Sequence, residues 1–305
     1  MKYQRGLAAV TAILVVAVAA SAATLMLAQQ SAMLDQTLLI ASRAQADQYA
    51  RAGLDWARGV LLEDAVASGA FDSLDEGWAQ PIAALPVERA VVSGAIVDEQ
   101  GKFNLNNLVA GGQPSKPDVE AFKAILASQG LAPELADPVI DWIDVNDDLT
   151  STAGAESGYY LALKRPYRAA NQEMKQVEEL YRVRGFDAAA VRKLRPYVTA
   201  LPGRTTVNIN TTNEVVLAAL LPTMPKADIA TLVNGRRGKP MKAKDAIAAW
   251  AKNAPAASLD ALDVKSSHFM VAIRVVQDDV ELANEALVKR VANAAPVIIW
   301  RRPRY

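Results

Sequence analysis

The sequence predicts an α+β fold in which a long N-terminal helix packs on an antiparallel sheet, with a large all-α domain inserted between the strands. Three observations carry this expectation. Residues 7–28 form an unbroken apolar run, and helical periodicity continues behind it, without a proline, to residue 62. Stretches rich in Val and Ile with strand character occur at 89–98 and return only from residue 268. Between them, from 118 to about 263, the chain reads as short helices with Gly or Pro at nearly every junction.

The first six residues (MKYQRG) carry Lys2 and Arg5 and end on Gly6. The apolar run that follows has no charged residue, and only Thr11, Ser21 and Thr24 interrupt it. At about 1.5 Å per residue it reaches roughly 33 Å, enough to cross a hydrocarbon core. The positive charges ahead of it place residues 1–6 on the cytoplasmic side and the remainder across the membrane. The run exceeds the ~7–15 apolar residues of an ordinary secretory signal, and its small residues at 19–23 lie inside it rather than after it. One reading is an uncleaved single-pass anchor. Another is cleavage after Gly6, which makes Leu7 the new N-terminus at the head of the helix. A basic leader ending in Gly before an apolar helix resembles the type IV pilin family. That resemblance implies prepilin peptidase as the processing enzyme, with methylation among the modifications.

Behind the run, apolar residues recur at Leu34, Leu38 and Ala41, then at Tyr49, Ala52, Trp56 and Val60, while Arg43, Asp47, Arg51, Asp55 and Arg58 fall between them. Read as one element, 7–62 is a helix of about 80 Å; the alternative is a break near Gln29. A loop of turn formers follows (Ser68, Gly69, Asp72, Ser73, Asp75, Gly77, Pro81, Pro86). Strand 89–98 then turns at Glu99–Gln100–Gly101 into a second strand-like stretch, 102–108. Helices are expected at 119–129, 133–143, 172–183, 188–198, 213–221, 226–236 and 244–252, and strands at 268–276, near 286–291 and at 296–301. The resulting division is a leader (1–6), a transmembrane half-helix (7–28), an amphipathic helix with the first part of the sheet (29–110), an inserted helical domain (111–264) and the remaining strands (265–305).

Composition narrows the function. Lys+Arg and Asp+Glu are equal at 33 each, so the chain as a whole has no bias toward nucleic acid. With no cysteine, thiol catalysis, disulfides and thiolate metal sites are excluded. His268, the single histidine, opens a strand and reads as structural. No nucleophile elbow, phosphate loop or dinucleotide fingerprint is present, so no enzyme is expected.

The densest polar cluster spans 138–160. Asp144, Asn146 and Asp148 alternate just after a helix, as at the start of an EF-hand loop, but Leu149 stands where Gly is required and Glu156 falls one place late. The cluster still concentrates the hard oxygen donors that Ca²⁺ accepts. A solvated loop with Asp residues as turns and caps explains the spacing equally well. Asn171 and the pair Glu178–Glu179 are further donors should the chain fold back. Asp141 and Asp144 suggest an acid/base pair, for which no substrate pocket is evident.

Taken together, D-W-I-D at 141–144, G-A-E at 154–156, Tyr159–Tyr160, R-P-Y-R-x-x-N at 165–171, E-E-L-x-x-V-x-G-F at 178–186 and VNINT at 207–211 resemble the K-class minor pseudopilins of type II secretion systems, over essentially the whole chain. The resemblance implies a pilin-like fold whose inserted domain binds calcium through the acidic loop. Its best ligands are Asp144, Asp148 and Glu156, followed by Asn146, Asn171 and Glu179. It also implies assembly with I- and J-class minor pseudopilins, an H-class subunit being a further candidate, at the tip of a periplasmic pseudopilus that supports export of folded proteins. The chain would be held in the inner membrane by one helix, with its C-terminal part in the periplasm. One departure stands out. Most pilins have Glu at the fifth residue after the cut, offsetting a neighbour's charged N-terminus in the membrane, where an unpaired charge costs several kcal/mol. Here that residue is Thr11, which suits a subunit at a filament end.

Residues 206–237 resemble a helix-hairpin-helix unit, flanked by Arg236, Arg237, Lys239, Lys242 and Lys244. Such hairpins grip nucleic-acid phosphates or serve as packing units. Neutral overall charge and export across the membrane favour packing, and no nucleic-acid partner is expected. The rival function is an inner-membrane-anchored periplasmic binding module.

Overall fold

The computed structural model describes residues 3–67, 69–292 and 294–304; Lys2 of the leader and Ser68 of the expected loop lie outside the described residues. The chain opens with α1 (Tyr3–Ala67), one helix of 65 residues and about 100 Å. There is no break near Gln29. Ala-rich composition and the lack of any proline before Pro81 favour this continuity. In the apolar half, the hydroxyls of Thr11, Ser21 and Thr24 donate to carbonyls one turn back, at 2.8–3.1 Å, so that these three polar residues present no free hydroxyl donor on the exposed apolar surface.

After a 3₁₀ turn at Gly77–Ala79 come β1 (Ile82–Val87) and β2 (Ala90–Asp98). A second 3₁₀ turn, Glu99–Gly101, takes the chain off the sheet. The expected hairpin is therefore not formed. Instead β3 (Phe103–Asn104), the turn Leu105–Leu108, β4 (Val109–Ala110) and β5 (Gln113–Pro114) lead into the helical module. Phe103, Leu105 and Leu108 are all fully buried in that module's core, a pattern without the period-two alternation of a half-buried strand. The module continues with α2 (Lys116–Ser128), α3 (Ala136–Ile143), α4 (Ser157–Leu161), α5 (Ala188–Leu194), β6 (Val198–Thr199), β7 (Val207–Asn208), α6 (Glu214–Leu220), α7 (Lys226–Gly235), α8 (Lys244–Trp250), α9 (Ala256–Asp260) and β8 (Leu262–Asp263). Short parallel ladders, β3 with β6 and β7 with β8, stitch it together. The helix expected at 172–183 is only a 3₁₀ stretch, Val177–Arg182. Before it, Asn171 has a positive φ of 45° and the Met174 N–H donates to Asn106 Oδ1 at 2.8 Å, which holds the backbone out of a helix.

The chain then returns with β9 (His268–Gln277), β10 (Val280–Val291) and β11 (Ala294–Pro303), giving an antiparallel sheet in the order β1-β2-β9-β10-β11. β2 and β9 are direct neighbours, with Asp98 opposite Phe269, so the whole module leaves and re-enters at one point of the ladder. Phe269, Val271, Ile273 and Val275 alternate inward on β9 and pack on Ala46, Ala50, Leu54, Ala57 and Leu61 of α1. Each buried Leu or Ile contributes about 1.5–3 kcal/mol. Of Tyr49, Ala52, Trp56 and Val60, Tyr49 and Val60 pack half-buried against the margin of this core, while Ala52 is exposed and Trp56 is 55% exposed. Small side chains win the sheet-facing positions because they let the helix approach closely: a Cβ on Gly53 would sit 3.2 Å from Ile273 Cδ1.

A buried polar knot closes the junction. Asp98 accepts from the Ser266 and Thr211 hydroxyls, both at 2.6 Å, and from the Gln100 N–H at 2.8 Å. Burial pushes its carboxyl up to about 6 despite these bonds. Asn208 and Thr211 of VNINT thus tie the module to the strand it interrupts. His268 sits beside the knot, buried, with Nδ1 2.9 Å from the Ser267 hydroxyl, in a structural setting.

Candidate metal centre

α3 places Asp141 in its last turn, and Asp144 caps it in extended conformation. The i,i+3 spacing brings the two onto one helix face. The loop beyond returns to set Glu156 immediately ahead of α4. Asp141, Asp144 and Glu156 are all buried, and one carboxylate oxygen from each lies within 4.8 Å of the others. Asp141 Oδ1 accepts from the Thr150 N–H at 2.9 Å. Its Oδ2, together with Asp144 Oδ1 and both Glu156 oxygens, is buried with no hydrogen-bond partner. Gly154 makes room for this: a Cβ there would lie 2.1 Å from Asp141 Oδ2.

The electrostatics are one-sided. Burial, then repulsion from Asp141, Asp144 and Asp147, pushes the Glu156 carboxyl up to about 8. Burial, then Asp141, raises Asp144 as well. The negative end of the α3 dipole adds to the repulsion, and the leading charges acting on Asp144 and Glu156 are all carboxylates. Buried carboxylates in this state cost several kcal/mol unless something positive joins them. All-oxygen donors without His or Cys match a hard divalent cation. The second acidic trio, Asp64, Asp72 and Glu76, differs in kind. Arg290 bridges Asp64 at 2.7 Å and Asp72 at 2.5 Å, and Trp78 Nε1 donates to Glu76 at 2.7 Å.

The remaining expected ligands divide. Asn146 Oδ1 accepts from the Asp148 N–H at 2.7 Å, and the Asn146 carbonyl accepts from Asn171 Nδ2 at 3.0 Å. Asn171 thereby joins the loop, with its own Oδ1 buried and unpartnered. Asp148 is exposed. Glu179 is not brought to the trio; it accepts from the Lys175 N–H at 2.7 Å and from Trp142 Nε1 at 3.4 Å. The third member, Asp141, is missing from the ligand set expected from sequence, where its pairing with Asp144 suggested only an acid/base couple. Trp142 of α3 and Tyr159 and Tyr160 of α4, near these acids in sequence, pack with Tyr167 in edge and stacked contacts, and Arg184 donates to the Gly154 carbonyl at 2.8 Å.

Of the processing residues, Gly6 and Leu7 both lie within α1, and Leu7 is exposed. An apolar groove of about 520 Å³ runs between the Trp56 face of α1 and the β1–β2 edge, with Leu85 and Val92 on its wall.

Family models described as type II secretion system (T2SS), protein K, match residues 101–203 and 207–271. Among curated proteins, a type II secretion system protein K from Pseudomonas aeruginosa is 35% identical over 77% of this chain and 74% of its own length. Those from Aeromonas hydrophila (33%, covering 87% of each) and Klebsiella pneumoniae (30%, covering 94% and 93%) are similar over still more of the chain. The crystal structure of the GspK-GspI-GspJ complex from enterotoxigenic Escherichia coli contains a chain that superposes with a TM-score of 0.79 at 24% identity, covering 88% of this chain and 99% of that one. At that identity the likeness is one of fold.

Proposed function

The chain belongs to the type II secretion system protein K family and is a minor pseudopilin of that machinery; from this premise we propose that it is processed after Gly6, held in the inner membrane by the first half of α1, and assembled at the tip of a periplasmic pseudopilus. The observation that carries this reading is α1 itself. From Leu7 to Ala28 it is apolar and exposed, while its C-terminal part is the spine of the sheet. The Thr11 hydroxyl donates to its own helix, to Leu7 O at 3.1 Å, and offers no charge to a neighbour. An internal repeat needs that charge and an end subunit does not. The helical module, hung from one point of the ladder, suits the same terminal position.

The partners proposed are the I- and J-class minor pseudopilins. The solved neighbour, named as a complex of K, I and J proteins, supports this choice. The Trp56 face and its groove supply an apolar surface for a second spine helix. The protein acts by assembly rather than catalysis, and its acidic loop holds calcium. Asp141, Asp144 and Glu156 would ligate the ion, with Asn171 Oδ1 and loop carbonyls as further oxygens, and the ion would supply the positive charge their burial requires.

Mass spectrometry of the mature chain tests the processing: an N-terminus at Leu7 is expected, and an intact Met1 overturns it. Co-purification with I- and J-class subunits, lost on Trp56→Ala, tests the assembly.

A further inference from the structure

Arg236 follows the last residue of α7 and is 9% exposed. Its Nη1 donates to the Ile209 carbonyl at 2.9 Å. No carboxylate pairs with it among the described residues. Burial and then the neighbouring Arg237 pull its pKa down to about 10. The C-terminal end of α7 offsets roughly half an elementary charge, which leaves much of a buried cation without a counter-charge. None of its nitrogens is a buried, unpartnered atom. The N–H groups not bonded to Ile209 therefore reach the cleft that Arg236 lines, of about 360 Å³ between α7 and α8.

The rest of the cleft narrows what would enter. Lys239 adds a second cation at the rim, exposed and likewise without an ion pair. Leu232 and the half-buried Trp250 form an apolar wall. Thr231 donates its hydroxyl to Ala227 O at 2.8 Å and is not available as an anion donor. Asp228 also lines the cleft, and its charge disfavours a dianionic phosphate more than a single carboxylate. A planar guanidinium beside an ammonium matches one carboxylate well, and the apolar wall matches a non-polar residue next to it.

We propose that this cleft receives an acidic, apolar-flanked peptide segment of a partner protein, its Asp or Glu carboxylate held between Arg236 and Lys239 and its neighbouring side chain against Leu232 and Trp250. The site is separate from the metal centre and is independent of that reading.

The test uses the full chain in detergent and fluorescence anisotropy of a rhodamine-labelled peptide, acetyl-Leu-Glu-Leu-Phe-Lys(dye)-amide, against its Gln analogue. The Glu peptide is expected to bind saturably and at least tenfold tighter than the Gln form, and to weaken as salt is added. Arg236→Gln and Lys239→Glu should each cost at least tenfold in affinity. Should Arg236→Gln lower the unfolding midpoint, the rim variant Lys239→Glu, which leaves folding intact, decides. Equal binding of the two peptides, or indifference to Lys239→Glu, overturns the proposal. Displacement of the peptide by inorganic phosphate at equimolar concentration also overturns it, because the cleft would then be a simple anion site.

Discussion

Asp141 and Asp144 at the end of α3 and Glu156 just ahead of α4 bring three buried carboxylates together, and the consequences can be measured one residue at a time. If calcium resolves their repulsion, an ion at 100 times its Kd adds about 2.7 kcal/mol, or roughly 5–10 °C in Tm for a chain of this size. Asp144→Ala should lower Tm by that amount in calcium and by little in chelator. If chelator leaves the wild-type Tm unchanged, the calcium reading fails. Gly154→Ala should mimic the loss, since its Cβ displaces Asp141 Oδ2. The pH response has a definite sign. Glu156 is raised from 4.5 to about 8, so without metal its stabilising contribution is complete below pH 4.5 and disappears as pH rises through 8. Melting in chelator should fall over that window for wild type and less steeply for Glu156→Gln, whereas calcium, which needs the ionised form, should reverse the trend. Asp144 and Glu156 were legible in the sequence because loop acids advertise themselves. Asp141 was not read as a ligand, because an acid inside a helix has the same letter whether it caps, pairs or coordinates.

At the scale of elements, hydropathy located α1 but did not pick out the residues that meet the sheet most closely. The large apolar side chains Trp56 and Tyr49 dominate a periodicity argument, yet close approach to β9 is made by Ala46, Ala50 and Gly53. Gly53→Val should therefore destabilise by about 1–3 kcal/mol through overpacking against Ile273, read as a lower urea midpoint. Trp56→Ala should stay within about 0.5 kcal/mol of wild type while weakening subunit assembly. The long strands were visible for the usual reason, β-branched runs between turn formers. β1 was hidden by Pro81 and Pro86, which an edge strand tolerates because it need not donate on its open side. The stretch 102–108 misled in the opposite direction: its residues are apolar enough for a strand, but nothing local says that Phe103 pairs with Val198, ninety-odd positions away.

For the molecule as a whole, the contact between module and sheet includes a small ionic latch. Arg302 on β11 reaches Glu178 at 3.2 Å and Glu285 at 2.5 Å, and Arg195 grips Glu178 from α5 at 2.5 Å. Burial alone would raise Glu178, but the Arg302 hydrogen bond and the charges of Arg302 and Arg195 hold it below the usual carboxylate range. Its contribution is present at neutral pH and is lost as pH falls through its lowered pKa. Partly exposed pairs of this kind are worth about 1 kcal/mol or less. Arg302→Gln should thus barely change global unfolding but speed amide exchange in the 177–182 turn. The knot at Asp98 and the latch act with further ties from Asn208, Asn210 and Gly238 to the Asp72–Asp75 loop, while Asp98 and Phe269 face each other across the ladder. Everything between them is, in genetic terms, a cassette with its two ends about one strand spacing apart. Replacing it with a two-residue Asn-Gly link should still yield the helix and all five strands, since that turn is what adjacent antiparallel strands ordinarily use. An ancestral subunit could have acquired a new domain here by a single in-frame insertion, without disturbing one hydrogen bond of the sheet that received it.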